Sequence, residues 1–174
     1  MGENETKSKF LPHITADQLK NAQLSTDILA YFDLLTQPLH EELYKRKTFD
    51  FLDDLSEGQQ LFLSYDYVQN QVLQGGFIQL IENGYIGLLP DMPAWLTNAG
   101  APAMAKVIDD VLKVYVLNKE TFDSAKTVEE FVKLYAELKE FEILDGEFNE
   151  LNEVTIDLMI KYAEKHINEF ATVV

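Results

Sequence analysis

Cysteine is absent from all 174 residues, which excludes disulfides, thiol nucleophiles and thiolate metal sites. Basic charge is scarce too. Fourteen Lys and Arg stand against thirty Asp and Glu, leaving a formal net charge of −16. The shortage is uneven. No Lys or Arg occurs from Thr48 to Ala105, whereas Asp50, Asp53, Asp54, Glu57, Asp66, Glu82 and Asp91 all fall in that window. A field of this sign repels nucleic acid and anionic lipid, and draws basic partners from a distance. Direct DNA or RNA binding is therefore not expected. No apolar run approaches the roughly 20 residues of a membrane span, and no basic-plus-apolar leader precedes the first helical pattern. The opening MGENET has the bare spacing of a myristoylation signal, but Glu3, Glu5 and the net charge oppose membrane docking. A soluble cytoplasmic protein is expected.

What the chain does contain is a core. It is 47% hydrophobic and 11% aromatic, too apolar to stay disordered despite its charge. Its length suits one domain burying roughly 70% of the unfolded surface. Residues 1–14 read as a flexible N-terminal arm and 15–174 as a single helical domain. Three candidate capping boxes mark helix starts: Thr15 with Gln18, Ser56 with Gln59, and Thr127 with Glu130. Apolar residues then recur at intervals of three and four. Leu61, Tyr65, Val68 and Val72 share one face; Met104, Val107, Ile108, Val111, Leu112 and Tyr115 another; Phe131, Leu134, Tyr135, Leu138 and Phe141 a third. Ile156, Met159, Ile160, Ala163, Ile167 and Phe170 follow the same rule. Ile28, Phe32 and Leu35 form a face that stops before Pro38, which suits the first turn of a new helix. No run alternates with period two. The expected fold is all-α, a compact single-domain bundle of about seven to nine helices.

The glycines at 75 and 76 interrupt this pattern, each costing roughly 1 kcal/mol against alanine in a helix interior. They fit a corner: a helix from about Ser56 stops near Leu73, a glycine takes the left-handed closing conformation, and a second helix begins at Phe77 and ends at Asn83-Gly84. A ligand-cradling turn is the weaker reading, because no GxGxxG or Walker pattern surrounds the pair.

Metal and catalytic patterns are poorly supplied. HEELY at His40 begins like a zinc-protease helix, but Tyr44 stands where the second histidine belongs. His13 and His166 read as surface or partly buried structural residues. DFLDDLSEG fails as a calcium loop, with Leu55 at a ligand position and Ser64 in place of the bidentate Glu. No metal or cofactor is expected, and the protein is read as a non-enzyme. A carboxylate-based hydrolase is the least favoured alternative, since chance acid pairs abound at this composition.

The segment QGGFIQLIENG also resembles the landmark of a bacterial family of neisserial-type DNA-mimic proteins. That landmark is approximately Asn-Gly-Gly-Phe, a variable residue, Gln, two apolar residues, a variable residue and Asn. Gly75, Gly76, Phe77, Gln79, Leu80, Ile81 and Asn83 match it, and Gln74 replaces the leading Asn. Further matches are the Gly100–Ala101 step and the ending from Leu144-Asp145 through Phe148 and Leu151 to Tyr162, His166 and Phe170. The resemblance implies an all-helical, dimeric protein. Its acidic surface would occupy the DNA-binding face of a helix-turn-helix transcription regulator, with Gly75, Gly76, Phe77, Gln79 and Asn83 serving structure.

Charge density bears on that implication. From Glu137 to Asp157 eight acids meet one base, Lys139. As continuous helix the stretch would span about 30 Å, where one DNA strand carries roughly nine charges. The density is comparable to one strand and short of a duplex; a row near Asp50, Asp53, Asp54 and Glu57, or a dimer mate, would supply the rest. The candidate phosphate-mimicking residues are Asp53, Asp54, Glu57, Glu137, Glu140, Glu142, Asp145, Glu147, Glu150 and Glu153. The same charge would equally serve an acidic inhibitor of a nuclease or another basic nucleic-acid-binding protein.

Overall fold

In the computed structural model, which describes residues 8–123 and 126–174, short strand β1 (His13–Ile14) leads into α1 (Ala16–Leu24) and α2 (Ala30–Arg46). A 3-10 turn at Phe49–Asp54 precedes α3 (Glu57–Glu82), and a second at Ile86–Leu88 precedes α4 (Met92–Asn98). Then come α5 (Pro102–Leu117), α6 (Lys119–Asp123), α7 (Val128–Glu137) and α8 (Lys139–Lys165), a turn at Ile167–Glu169, and β2 (Thr172–Val173). The protein is all-α apart from the two-residue strands. With α3 counted as two segments, because the backbone leaves helical geometry at Gly76, the described residues form nine α-helices.

All three capping boxes close as their spacing requires. Thr15 Oγ1 accepts from the Gln18 amide at 3.0 Å while Gln18 Oε1 accepts from the Thr15 amide at 2.9 Å. Ser56 and Gln59 make the same reciprocal pair at 3.2 and 3.0 Å, and Thr127 and Glu130 at 3.2 Å each. Each satisfies two backbone N–H groups that a helix start leaves without partners.

Pro38 departs from expectation. It lies inside α2 rather than opening a new helix. Proline removes one ladder hydrogen bond, but the buried face Tyr31, Phe32, Leu35, Leu39 and Leu43 runs through it without changing register. Burial of that face outweighs the lost bond.

The described residues form two compact units, one of the chain up to Asp66 with Val154–Val174, the other Tyr67–Glu153. In the first, Phe32 stacks on Phe62 at 5.1 Å and Phe62 meets the edge of Phe170 at 4.8 Å. Gly58 on α3 admits the Phe170 ring: a Cβ there would lie 2.7 Å from its Cζ. Of the arm expected over 1–14, residues 1–7 lie outside the described residues, and 8–14 are tied down. The Lys9 amide donates to Asp54 O at 2.7 Å, Gln59 Nε2 donates to Phe10 O at 2.8 Å, and Phe10 meets Phe51 edge-on. β1 pairs in parallel with β2, His13 opposite Thr172 and Ile14 opposite Val173. Buried Ile14 explains why this end is ordered: its apolar surface has somewhere to go.

In the second unit, Phe77 meets Phe148 at 5.6 Å and 89°, and Phe122 meets Phe141 at 5.8 Å. The double glycine belongs to this unit. α3 continues through Gly75, and the break falls at Gly76, with φ 75° and ψ −178°. This is a mirror-extended conformation, open essentially to glycine alone, not the left-handed helical closure that the spacing suggested. The following segment ends at Glu82, with Gly84 at φ 85° behind it.

Candidate acidic interface on helix α8

Of the acidic run from 137 to 157, the first residue belongs to another helix. Leu138, at φ −98° and ψ 66°, separates α7 from α8, so Glu137 ends one helix and Glu140 and Glu142 sit in the first turn of the next. There their charge complements the positive end of the helix dipole. Gly146 does not interrupt α8, and a Cβ there would meet nothing within 4 Å. Phe141, Leu144 and Phe148 bury one face. Glu147, Glu150 and Glu153 are exposed and recur every third residue. At 1.5 Å rise per residue they place one carboxylate per roughly 4.5 Å of axis, against one per 3.4 Å along a DNA strand.

Few cations answer this row. Within the same unit Lys106 is 2.6 Å from Asp110, Lys113 2.9 Å from Asp109, Lys126 3.1 Å from Glu82 and Lys133 3.5 Å from Glu137. The Lys106 ammonium is held above its ordinary pKa chiefly by its hydrogen bond to Asp110, with Glu147 a lesser contributor. Among the described residues no cation lies within 4.0 Å of Glu140, Glu142, Glu147, Glu150 or Glu153.

Two candidates are turned to other uses. Asp145, on the same helix, points inward: half-buried, its Oδ1 accepts the Phe77 amide at 2.8 Å. Burial raises its carboxyl pKa, the Phe77 hydrogen bond opposes that, and Glu142 adds to the rise. It caps the segment after the glycine break. Asp54, in the other unit, is 2.7 Å from Arg46 Nη1 and 3.7 Å from Lys9 Nζ, so much of its charge is already answered. Asp53 and Glu57 belong to that unit as well and are exposed.

Of the motif residues, Gly76 and Phe77 meet Asp145 directly. A Cβ on Gly76 would collide with the Asp145 carboxylate, 2.8 Å from Cγ, and one on Gly75 would lie 2.6 Å from Gln79 Cδ. Tyr135 Oη donates to Gly75 O. Asn83 Nδ2 and Gln79 Nε2 both donate to Gln71 Oε1, at 2.7 and 3.3 Å. Residues 53–166 match the family described as DMP19-like protein. The chain belongs to the DMP19-like family. It is also 27% identical over 164 residues to the DNA mimic protein DMP19 of Neisseria meningitidis serogroup B, covering 92% of this chain and 94% of that protein. The DMP19-like match takes in both the glycine corner and the outward row of α8.

Sequence reasoning missed one polar cluster. His40 Nε2 lies 2.6 Å from Asp66 Oδ2, joining α2 to α3 within the first unit. Asp33 nearby has its pKa raised by burial, then by Asp66 and Asp27, with His40 opposing. His40 and Asp66 are 26 residues apart, and no local spacing announces the pair.

Proposed function

We propose that this protein is a DNA mimic. Its acidic surface binds the DNA-binding face of a helix-turn-helix transcription regulator, blocks operator binding and so relieves repression, without catalysing a reaction. It acts as a cytoplasmic homodimer. The observation that carries the reading is the row Glu147, Glu150 and Glu153, aligned and without a cation within 4.0 Å among the described residues. Solubility requires net charge but not alignment. Like charges at i, i+3 oppose the helix by a few tenths of a kcal/mol per pair, so alignment is a cost to folding. Lys and Arg that grip phosphates respond to alignment. Relationship to a protein named as a DNA mimic supports the same conclusion.

The test is capture from a lysate of the protein's own host at low salt, with elution along a salt gradient. A helix-turn-helix regulator that elutes with salt and is displaced by its own operator DNA is the expected result. The triple variant E147K/E150K/E153K should lose that capture by orders of magnitude while keeping its helical circular dichroism. Capture of a nuclease instead would replace this reading with inhibition of a nucleic-acid enzyme. Undiminished capture by the triple variant would remove α8 from the interface.

A further inference from the structure

Asp145 lies in the middle of the acidic run yet faces away from it. We propose that Asp145 is a positioning residue: its carboxylate, seated on the Phe77 amide at the Gly75–Gly76 break, fixes the setting of α8 so that Glu147, Glu150 and Glu153 face outward. This rests on the proposed interface and adds to it a reason for the double glycine.

The geometry supports each part. The Phe77 amide lacks a helical partner because the chain leaves helical geometry at Gly76, and Asp145 Oδ1 supplies the acceptor at 2.8 Å. The carboxylate reaches that amide only because residue 76 has no Cβ, which would otherwise stand 2.8 Å from Cγ and 3.0 Å from Oδ1. On the other side of the break Tyr135 Oη holds Gly75 O, tying α7 to the same corner. Phe77 and Phe148 meet edge to face one turn further along α8. Asp145 and Phe148 are neighbours at i, i+3, so a polar and an apolar contact fix one face of α8 against the corner. Glu147, Glu150 and Glu153 then fall on the exposed side. A helix held only by apolar contacts can slide or roll among similar packings. A directional hydrogen bond to one amide cannot be kept through a roll of even one residue, about 100°.

A role as acceptor and a role as surface charge predict opposite outcomes for the isosteric amide. Asp145→Asn keeps an oxygen for Phe77 and removes the charge; Asp145→Ala removes both. Because the chain has no native cysteine, spin labels at Ala103→Cys on α5 and Asn149→Cys on α8, both exposed, report the setting of α8 without interference. Affinity is read with a fluorescent arginine-rich helical peptide at low salt. Asp145→Ala should displace or broaden the label distance and weaken peptide binding by roughly tenfold as the carboxylates leave their array. Asp145→Asn should restore both. If Asp145→Asn binds as weakly as Asp145→Ala with an unchanged label distance, Asp145 acts as charge and the proposal is overturned. An unchanged distance in Asp145→Ala overturns it as well. Should Asp145→Ala fail to fold, hydrogen exchange in the unmutated protein decides: a Phe77 amide without protection refutes the anchor. Failure of the interface reading looks different, for E147K/E150K/E153K would then leave peptide affinity untouched whatever the label distances show.

Discussion

Replacing Gly76 with alanine tests the corner most directly, and two penalties can be estimated for it. The first is conformational. At φ 75° and ψ −178° an L-residue occupies a region essentially reserved for glycine, at a cost of about 1–3 kcal/mol. The second is steric. The new Cβ falls within 3.0 Å of three carboxyl atoms of Asp145, so that side chain must withdraw. Losing the cap on the Phe77 amide adds about 0.5–2 kcal/mol. The combined loss is about 1.5–5 kcal/mol, a large part of the roughly 5–15 kcal/mol that typically separates folded from unfolded. Gly84→Ala is the control. It shares a positive φ, 85°, but its Cβ would meet nothing within 4 Å, so only a conformational cost of about 1–2 kcal/mol applies. Urea unfolding of both variants should place Gly76→Ala well below Gly84→Ala. In the Asp145→Ala background the Gly76→Ala penalty should shrink by about 1 kcal/mol or more, since the clash is gone. Equal losses for the two glycines, or strict additivity with Asp145→Ala, would refute the account of the break.

Further outcomes follow from the same geometry. Ser56→Ala should destabilise by about 1–2 kcal/mol in urea melts and Thr15→Ala by less, since Ser56 is buried and its hydroxyl also donates to Glu169 O at 3.0 Å. Gly58→Ala should cost about 1–3 kcal/mol by forcing its Cβ against the buried Phe170 ring, readable as a lowered Tm in calorimetry. The pH dependence should mark Asp145. Burial raises its folded pKa above the unfolded value of about 3.9, so its support for folding is complete below that value and is lost as pH rises through the folded pKa. As pH rises above about 4 the unmutated protein should therefore lose stability relative to Asp145→Asn; urea midpoints that stay parallel through that rise would contradict the buried carboxylate.

What was legible in the sequence was what neighbours along the chain decide among themselves. The three capping boxes, the all-helical class and the need for a break at the double glycine follow from contacts three or four residues apart, whose geometry is nearly independent of the rest of the molecule. Three-residue spacing likewise places Glu147, Glu150 and Glu153 on one side of any helix that holds them. It could not tell them from Asp145, which shares their helix, charge and neighbourhood, because the Phe77 amide that claims Asp145 lies 68 residues away. The same limit hid the pairing of Asp54 with Arg46, the continuation of α2 through Pro38, and the parallel pairing of β1 with β2 from opposite ends of the chain. Helix periodicity and capping are properties of short segments and were set by the sequence itself. Which carboxylates remain exposed depends on which distant donors burial brings within about 3 Å, and only the tertiary structure decided that.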